Sequence, residues 1–131
     1  MLVINSKEHE VYRSVIDGGT EKAIGYLVEI EGRSMSVIPN RDDEGVFLSI
    51  FDVKTGYAIG RIQLSMIDAM ELVLDPDGTK SVLVRNMETF QKHFTKEFVA
   101  EIEEELKDKP TVPEPIEIED VKTYMEKENL L

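Results

Sequence analysis

Residues 86–110 read NMETFQKHFTKEFVAEIEEELKDKP, and this stretch separates a helical region from the strand-like sequence before it. Its apolar side chains recur every three or four residues, at Met87, Phe90, Phe94, Phe98, Ile102 and Leu106. Asn86 suits a helix N-cap, and Pro110 cannot continue a helix. The pattern predicts one amphipathic helix over residues 87–107, with a single apolar stripe that must cover another element.

The sequence on the N-terminal side of this helix has a different period. Turn-forming residues separate short apolar runs between residues 8 and 84. Residues 24–30 alternate apolar and polar, as a half-buried strand does, whereas residues 46–51 are apolar on both faces and predict a central strand. Residues 57–64 are predicted to pair back on that strand. Runs this closely spaced favour antiparallel hairpins, because a parallel crossover needs a dozen or more residues.

Residues 66–74 permit two interpretations. Ser65 could cap a short helix whose apolar positions are Ile67, Met70 and Val73 or Leu74. Alternatively, residues 71–74 and 81–84 form a hairpin over the 75–78 turn, Asp-Pro-Asp-Gly, which suits a type I turn. The turn chemistry favours the hairpin.

These patterns predict an α+β fold: an antiparallel sheet of five to seven strands, bent or partly closed, followed by one long amphipathic helix and a short C-terminal helix. Residues 1–109 are predicted to form a single domain, β-rich over 1–84. Residues 110–131 then form an acidic arm whose prolines favour an extended connector. Its terminal helix is too short to be stable alone, so it should dock on its own domain, on a second copy or on a partner.

Charge is distributed unevenly along the chain. The net charge is −12, and residues 97–131 contain twelve acidic and four basic residues. Such a balance opposes binding to nucleic-acid phosphates and to anionic membrane surfaces. It favours solubility and contact with basic protein surfaces.

Composition also restricts the cellular setting and the chemistry. The chain has no cysteine, which excludes disulfides, thiolate metal sites and thiol catalysis. Neither a signal peptide nor a run of about 18 apolar residues occurs, so we predict a cytoplasmic protein without a membrane span.

The sequence contains no convincing motif for catalysis or for metal binding. His93 and Glu97 could share a metal on a helix, but zinc needs three or four protein ligands. The acidic run at 42–44 is typical of a solvated loop. The dispersed arginines, Arg13, Arg33, Arg41 and Arg61, are expected to occupy independent surface positions. No catalytic residue, cofactor or metal site is predicted, and the sequence favours a non-enzymatic protein without deciding the question.

The strongest functional signal is a row of carboxylates on the predicted helix, called here the acid rail: Glu97, Glu101, Glu104, Glu105 and Asp108. Tyr124 and Met125 in the arm are candidate apolar anchors. The chain is therefore predicted to be a small acidic protein-binding module of inhibitor, adaptor, immunity or chaperone type that meets a basic partner. The alternatives are an assembly subunit that self-associates through the arm, and a ligand-binding or enzymatic domain with a pocket between sheet and helix.

Overall fold

The computed structural model describes residues 1–15, 18–75 and 77–118. Its strands and helices follow one another along the chain as β1 (Leu2–Ser14), β2 (Thr20–Ile30), β3 (Arg33–Asp42), β4 (Gly45–Asp52), β5 (Ala58–Gln63), α1 (Met66–Leu74), α2 (Thr79–Gln91), α3 (Lys96–Leu106) and β6 (Ile116–Glu117). All strand pairs are antiparallel, in the order β5-β4-β3-β2-β1-β6. The predicted α+β class is confirmed, and so is the hairpin between β4 and β5. No helix in the described ranges combines the length and apolarity needed to cross a bilayer.

The main core lies between one face of the sheet and the three helices. Strand residues such as Val28, Met35 and Ile50 meet Leu83 and Met87 of α2, and all five are almost completely buried. The period-two alternation of the strands accounts for this, because every second side chain points to the helices. Ile24, the first apolar residue of the alternating stretch at residues 24–30, lies outside the core and is 45 % exposed.

The opposite side of the sheet, called here the helix-free face, has a small core of its own made by Val11, Ile38 and Phe51. The register of β1 and β2 shifts between Asn5 and His9, which marks a bulge. Beyond the bulge, the end of β1 meets the loop after β4: the Ser14 backbone N–H donates to the Gly56 carbonyl at 2.8 Å. The sheet is thus bent, as predicted, and it does not close into a barrel.

The single helix predicted over residues 87–107 is wrong, because α2 ends at Gln91 and α3 begins at Lys96. Thr95 is the reason for the new start: its hydroxyl accepts a hydrogen bond from the Phe98 N–H at 3.1 Å. Threonine competes well as an N-cap and is a weak helix former. Asn86, predicted to be the cap, lies inside α2 and donates to the Val82 carbonyl at 2.8 Å.

The hairpin favoured for residues 71–84 is also wrong. Residues 66–74 form α1, with Ser65 as its cap, and residues 81–84 belong to α2. Val82 and Leu83 are fully buried, one helical turn before Met87. A helical stripe therefore satisfies these apolar residues against the sheet, and this burial outweighs the local turn preference.

The proline-containing segment of residues 110–118, called here the strap, packs back on the sheet. The Val112 N–H donates to the Lys54 carbonyl and the Ile118 N–H donates to the Glu8 carbonyl, each at 2.9 Å. Between these anchors, β6 pairs with β1 opposite His9 and Glu10. The described part of the arm thus docks on its own chain. The predicted terminal helix lies outside the described residues, and the division at residue 109 stays a prediction.

Candidate protein-interaction surface

Helix α1 has a side-chain N-cap at its first turn and a hydrogen-bonded turn directly after its last residue. The Ser65 hydroxyl accepts from the Asp68 N–H at 3.1 Å, and the Ser65 carbonyl accepts from the Ala69 N–H at 2.9 Å. Asp68 also places a negative charge in the first turn, where the helix dipole favours it. At the other end, the Gly78 N–H donates to the Asp75 carbonyl at 2.9 Å. The cap confirms the less favoured of the two interpretations, in which Ser65 caps a short helix.

The two sides of α1 are both apolar, which is unusual for a helix at the surface of a small domain. Ala69 and Leu72 pack against the main core. The other side, called here the apolar face, carries five large side chains that are 53–80 % exposed: Met66, Ile67, Met70, Val73 and Leu74. Their spacing of i, i+1, i+4, i+7 and i+8 places them in one contiguous stripe. Contiguous exposed apolar patches mark interaction sites, whereas single exposed residues need no explanation.

A carboxylate clamp holds α1 to α2 beneath this face. One Arg85 nitrogen lies 2.7 Å from Asp68 and 2.6 Å from Glu71, and Asn86 donates to Asp68 at 3.0 Å. The hydrogen bond from Arg85, with the one from Asn86, lowers the pKa of Asp68 below its usual value. The hydrogen bonds that Arg85 donates to Asp68 and Glu71 raise the pKa of Arg85. The helix is thus presented in a fixed orientation, with its apolar face outward.

The acid rail is exposed, as its sequence interpretation requires. Phe98, Ile102 and Leu106 of α3 face the core, and the rail residues lie on the solvent side of α3 and just beyond it. Glu104 pairs with Lys107 at 2.7 Å. The other four form no ion pair with any basic side chain in the described part of the chain. The rail therefore stays largely uncompensated, although α3 is shorter than predicted.

The remaining predicted anchors, Tyr124 and Met125, lie outside the described residues. Sequence reasoning did not assign the apolar face to a surface, although it recognised the helical spacing of Ile67 and Met70. The signal that could have revealed this surface is the composition of α1. Two of its nine residues, Ala69 and Leu72, pack against the core, and five others are large and apolar. A helix with two apolar sides needs a second partner to cover the side that does not face the core.

The residues considered for metal or anion binding lie apart in the described part of the structure. His93 lies in the turn between α2 and α3, so it does not share a helical face with Glu97. No group of three or more metal-ligating side chains forms among the described residues. Three of the arginines have carboxylates of their own, since Arg13 pairs with Glu21, Arg33 with Asp52 and Arg61 with Asp42.

A cavity between sheet and helix exists, but it is small. It has a volume of about 110 Å³ and is lined by Tyr57 and Ile59 of the sheet side and by Phe98 and Ile102 of α3. Pockets that hold small ligands usually span roughly 300–1,000 Å³. His93 is not among its lining residues. A larger cavity of about 330 Å³, lined partly by residues of β3, β4 and α3, falls within that range, so the ligand-binding or enzymatic alternative stays a prediction.

Comparison of the chain with protein-family models, with curated proteins and with solved structures gives no match.

Proposed function

We propose that this chain is a non-enzymatic protein-binding module whose contact surface is the apolar face of α1. One observation carries the proposal: the five exposed side chains form a contiguous stripe on a helix that is already packed on its other side. Leaving such a stripe in water costs about 25 cal/mol for each Å² of apolar area that a partner would cover. Binding a partner recovers that free energy.

The partner that fits best is a basic amphipathic helix. The apolar face is long enough for the side chains of a second helix to pack between its own, as in helix–helix packing. Met66 and Met70 supply flexible, polarizable contacts that adapt to varied apolar anchors. Acidic side chains, Asp75 and Asp77, follow the C-terminal end of the helix. With a net charge of −12, the chain attracts a basic partner from solution.

The acid rail has a supporting role in this proposal. Glu97, Glu101, Glu105 and Asp108 are exposed, and none of them forms an ion pair within the described part of the chain. Charges of this kind speed the encounter with a basic partner and contribute little to affinity at the contact itself. We therefore expect the apolar face to determine the dissociation rate of the complex and the rail to determine its association rate.

Binding of a model peptide tests the proposal. The probe is a Leu/Lys peptide of about 15 residues with leucine at i, i+3, i+4 and i+7, and its control has the same composition in scrambled order. We expect calorimetry to show binding of the amphipathic peptide only. The variant Ile67→Gln/Met70→Gln should weaken it by roughly tenfold or more, since two buried apolar anchors are lost.

The matched control is Ile24→Gln, which changes an exposed apolar residue on a strand away from α1. Equal binding by wild type and the α1 double variant would contradict the proposal, as would equal binding of the scrambled peptide. Sedimentation of the free protein tests the assembly alternative. A dimer that disappears in the α1 variant would assign the apolar face to a second copy of the chain instead.

A further inference from the structure

A second cavity lies beneath the strap, on the helix-free face of the sheet. Its volume is about 500 Å³, within the range of small-ligand pockets. The sheet contributes one wall, and Glu114, Pro115 and Glu117 of the strap contribute the other. The strap holds this position through its backbone hydrogen bonds to Lys54 and Glu8. Backbone hydrogen bonds therefore fix one wall of the cavity against the other.

The cavity combines an apolar floor with an acidic rim. Val3, Leu27 and Val53 supply aliphatic surface. Glu29 of β2 and Glu114 of the strap supply carboxylates, and neither forms an ion pair with a described basic residue. Glu117 is shared with Lys7 at 3.1 Å. No lysine or arginine of the described ranges lines the cavity. An apolar surface edged by unpaired carboxylates is complementary to a ligand that is aliphatic at one end and cationic at the other.

His9 adds an acceptor to this rim. Its side chain lines the cavity, and the residue is only 6 % exposed. The ring Nδ1 lies 2.9 Å from the Lys7 carbonyl oxygen. A carbonyl only accepts, so Nδ1 carries the proton, and in the neutral ring Nε2 is the acceptor. No described residue donates to Nε2. Nε2 is reached by solvent, so a ligand N–H would take the place of a water molecule there.

We propose that the cavity beneath the strap binds a primary alkylammonium group. The alkyl chain lies on the floor made by Leu27, Val3 and Val53. The ammonium lies at the rim, where Glu29 and Glu114 supply negative charge and the His9 ring supplies a hydrogen-bond acceptor. The source of this group is either a free aliphatic amine or the lysine side chain of a polypeptide. This site is separate from the apolar face of α1 and does not depend on the function proposed for it.

Titration of the full chain with hexylammonium tests the site, followed by amide chemical shifts in NMR spectra. We expect saturable shifts at Leu27, Glu29, Ser34 and Glu114, and no comparable shifts with hexanol, which lacks the charge. Glu29→Gln and Glu114→Gln should each weaken binding roughly two- to fivefold, as exposed ion pairs do. His9→Phe should weaken it roughly tenfold, through loss of one charge-assisted hydrogen bond.

The matched control is Glu44→Gln, which makes the same charge change in the exposed loop between β3 and β4 and should leave the affinity unchanged. Nα-acetyl-lysine amide, compared with its norleucine analogue, distinguishes the two sources: tighter binding than hexylammonium points to a lysine side chain, and weaker binding points to a free amine. The proposal fails if hexylammonium gives no saturable shifts at the strap, or if it binds no better than hexanol. It also fails if both rim variants match Glu44→Gln. The rim variants are exposed positions whose folding is checked by the same spectra.

Discussion

Arg85 of α2 and Asp68 of α1 are joined by a hydrogen-bonded ion pair of 2.7 Å, seventeen residues apart in the chain. Because Asp68 also lies in the first turn of α1, this pair connects the helix that carries the apolar face to the helix that fills the core. The orientation of the proposed contact surface therefore depends on a titratable group.

The first prediction concerns acid stability. The pKa of Asp68 is lower in the folded chain than its usual value near 3.9, because Arg85 hydrogen-bonds to the charged form. A lowered pKa gives stability that is present above the unfolded pKa and is lost as the pH falls through the folded one. Asp68→Asn should therefore lower the free energy of unfolding by roughly 0.5–1 kcal/mol at neutral pH, and by progressively less as the pH falls below about 4.

Denaturant unfolding at several pH values measures this difference. Asp43→Asn removes a charge from an exposed loop and serves as the control. A gap between wild type and Asp68→Asn that stays constant from neutral to strongly acidic pH would show that the ion pair does not contribute.

The second prediction tests the contact between the β4–β5 loop and β1. Gly56 has φ of +74°, and a Cβ there would lie 2.9 Å from the Ser14 backbone nitrogen and 3.1 Å from the Arg13 Cα. Backbone atoms cannot move aside as a flexible side chain does. Gly56→Ala should thus lower the free energy of unfolding by more than about 2 kcal/mol, from combined strain and clash.

Gly32→Ala provides the comparison in the same denaturation experiment. Gly32 has φ of +81°, and a Cβ added there would meet nothing within 4 Å, so its substitution should cost only the left-handed strain of about 1 kcal/mol. Equal losses for the two variants would mean that the loop does not press on β1.

The third prediction concerns a buried hydroxyl. Ser36 is 1 % exposed, and its Oγ has no hydrogen-bond partner among the described residues. Ser36→Ala should be neutral or stabilise the fold by up to about 1 kcal/mol, because an unsatisfied polar group is removed. Ser14→Ala should instead destabilise by about 1 kcal/mol, since the Ser14 Oγ donates to the Thr55 carbonyl at 2.9 Å. Thermal unfolding of both variants distinguishes these signs, and a loss at Ser36 as large as that at Ser14 would refute the assignment.

The fourth prediction tests the break between α2 and α3. Thr95 caps α3, so Thr95→Ala should lower the free energy of unfolding by about 1 kcal/mol, while Thr95→Ser should retain most of it. A continuous helix would respond in the opposite way, because alanine is the better interior residue. Stabilisation by Thr95→Ala in urea unfolding would therefore favour the single helix.

The sheet was predictable because its signals are local. The alternation at Val28 and Ile30 and the short loops of the hairpins follow directly from period and turn residues. The helix break was harder, since Phe90, Phe94 and Phe98 keep four-residue spacing across it, and successive rings still touch, at centroid distances of 6.0 and 5.6 Å. Periodicity alone cannot distinguish a continuous stripe from two helices that share one.

The candidate surfaces were only partly predictable. Exposure of the acid rail follows from charge, so Glu97 and Glu101 could be placed on the solvent side in advance. The outward orientation of Met70 could not, because an apolar residue is expected to be buried until the neighbours available to cover it are known. The cavity at His9 depends on the strap reaching β1, which is a contact between residues about a hundred positions apart.

That pairing of β6 with β1 also bears on synthesis of the chain. β1 ends at Ser14, whereas its outer neighbour begins at Ile116, about 100 residues later. At typical translation rates the nascent strand waits on the order of 5 to 20 seconds with one border unoccupied. Open borders recruit strands from other polypeptides, and a lysine there discourages such pairing. The Lys7 side chain is 74 % exposed even when paired with Glu117, so its charge is well placed to discourage other strands from pairing with β1 during that interval.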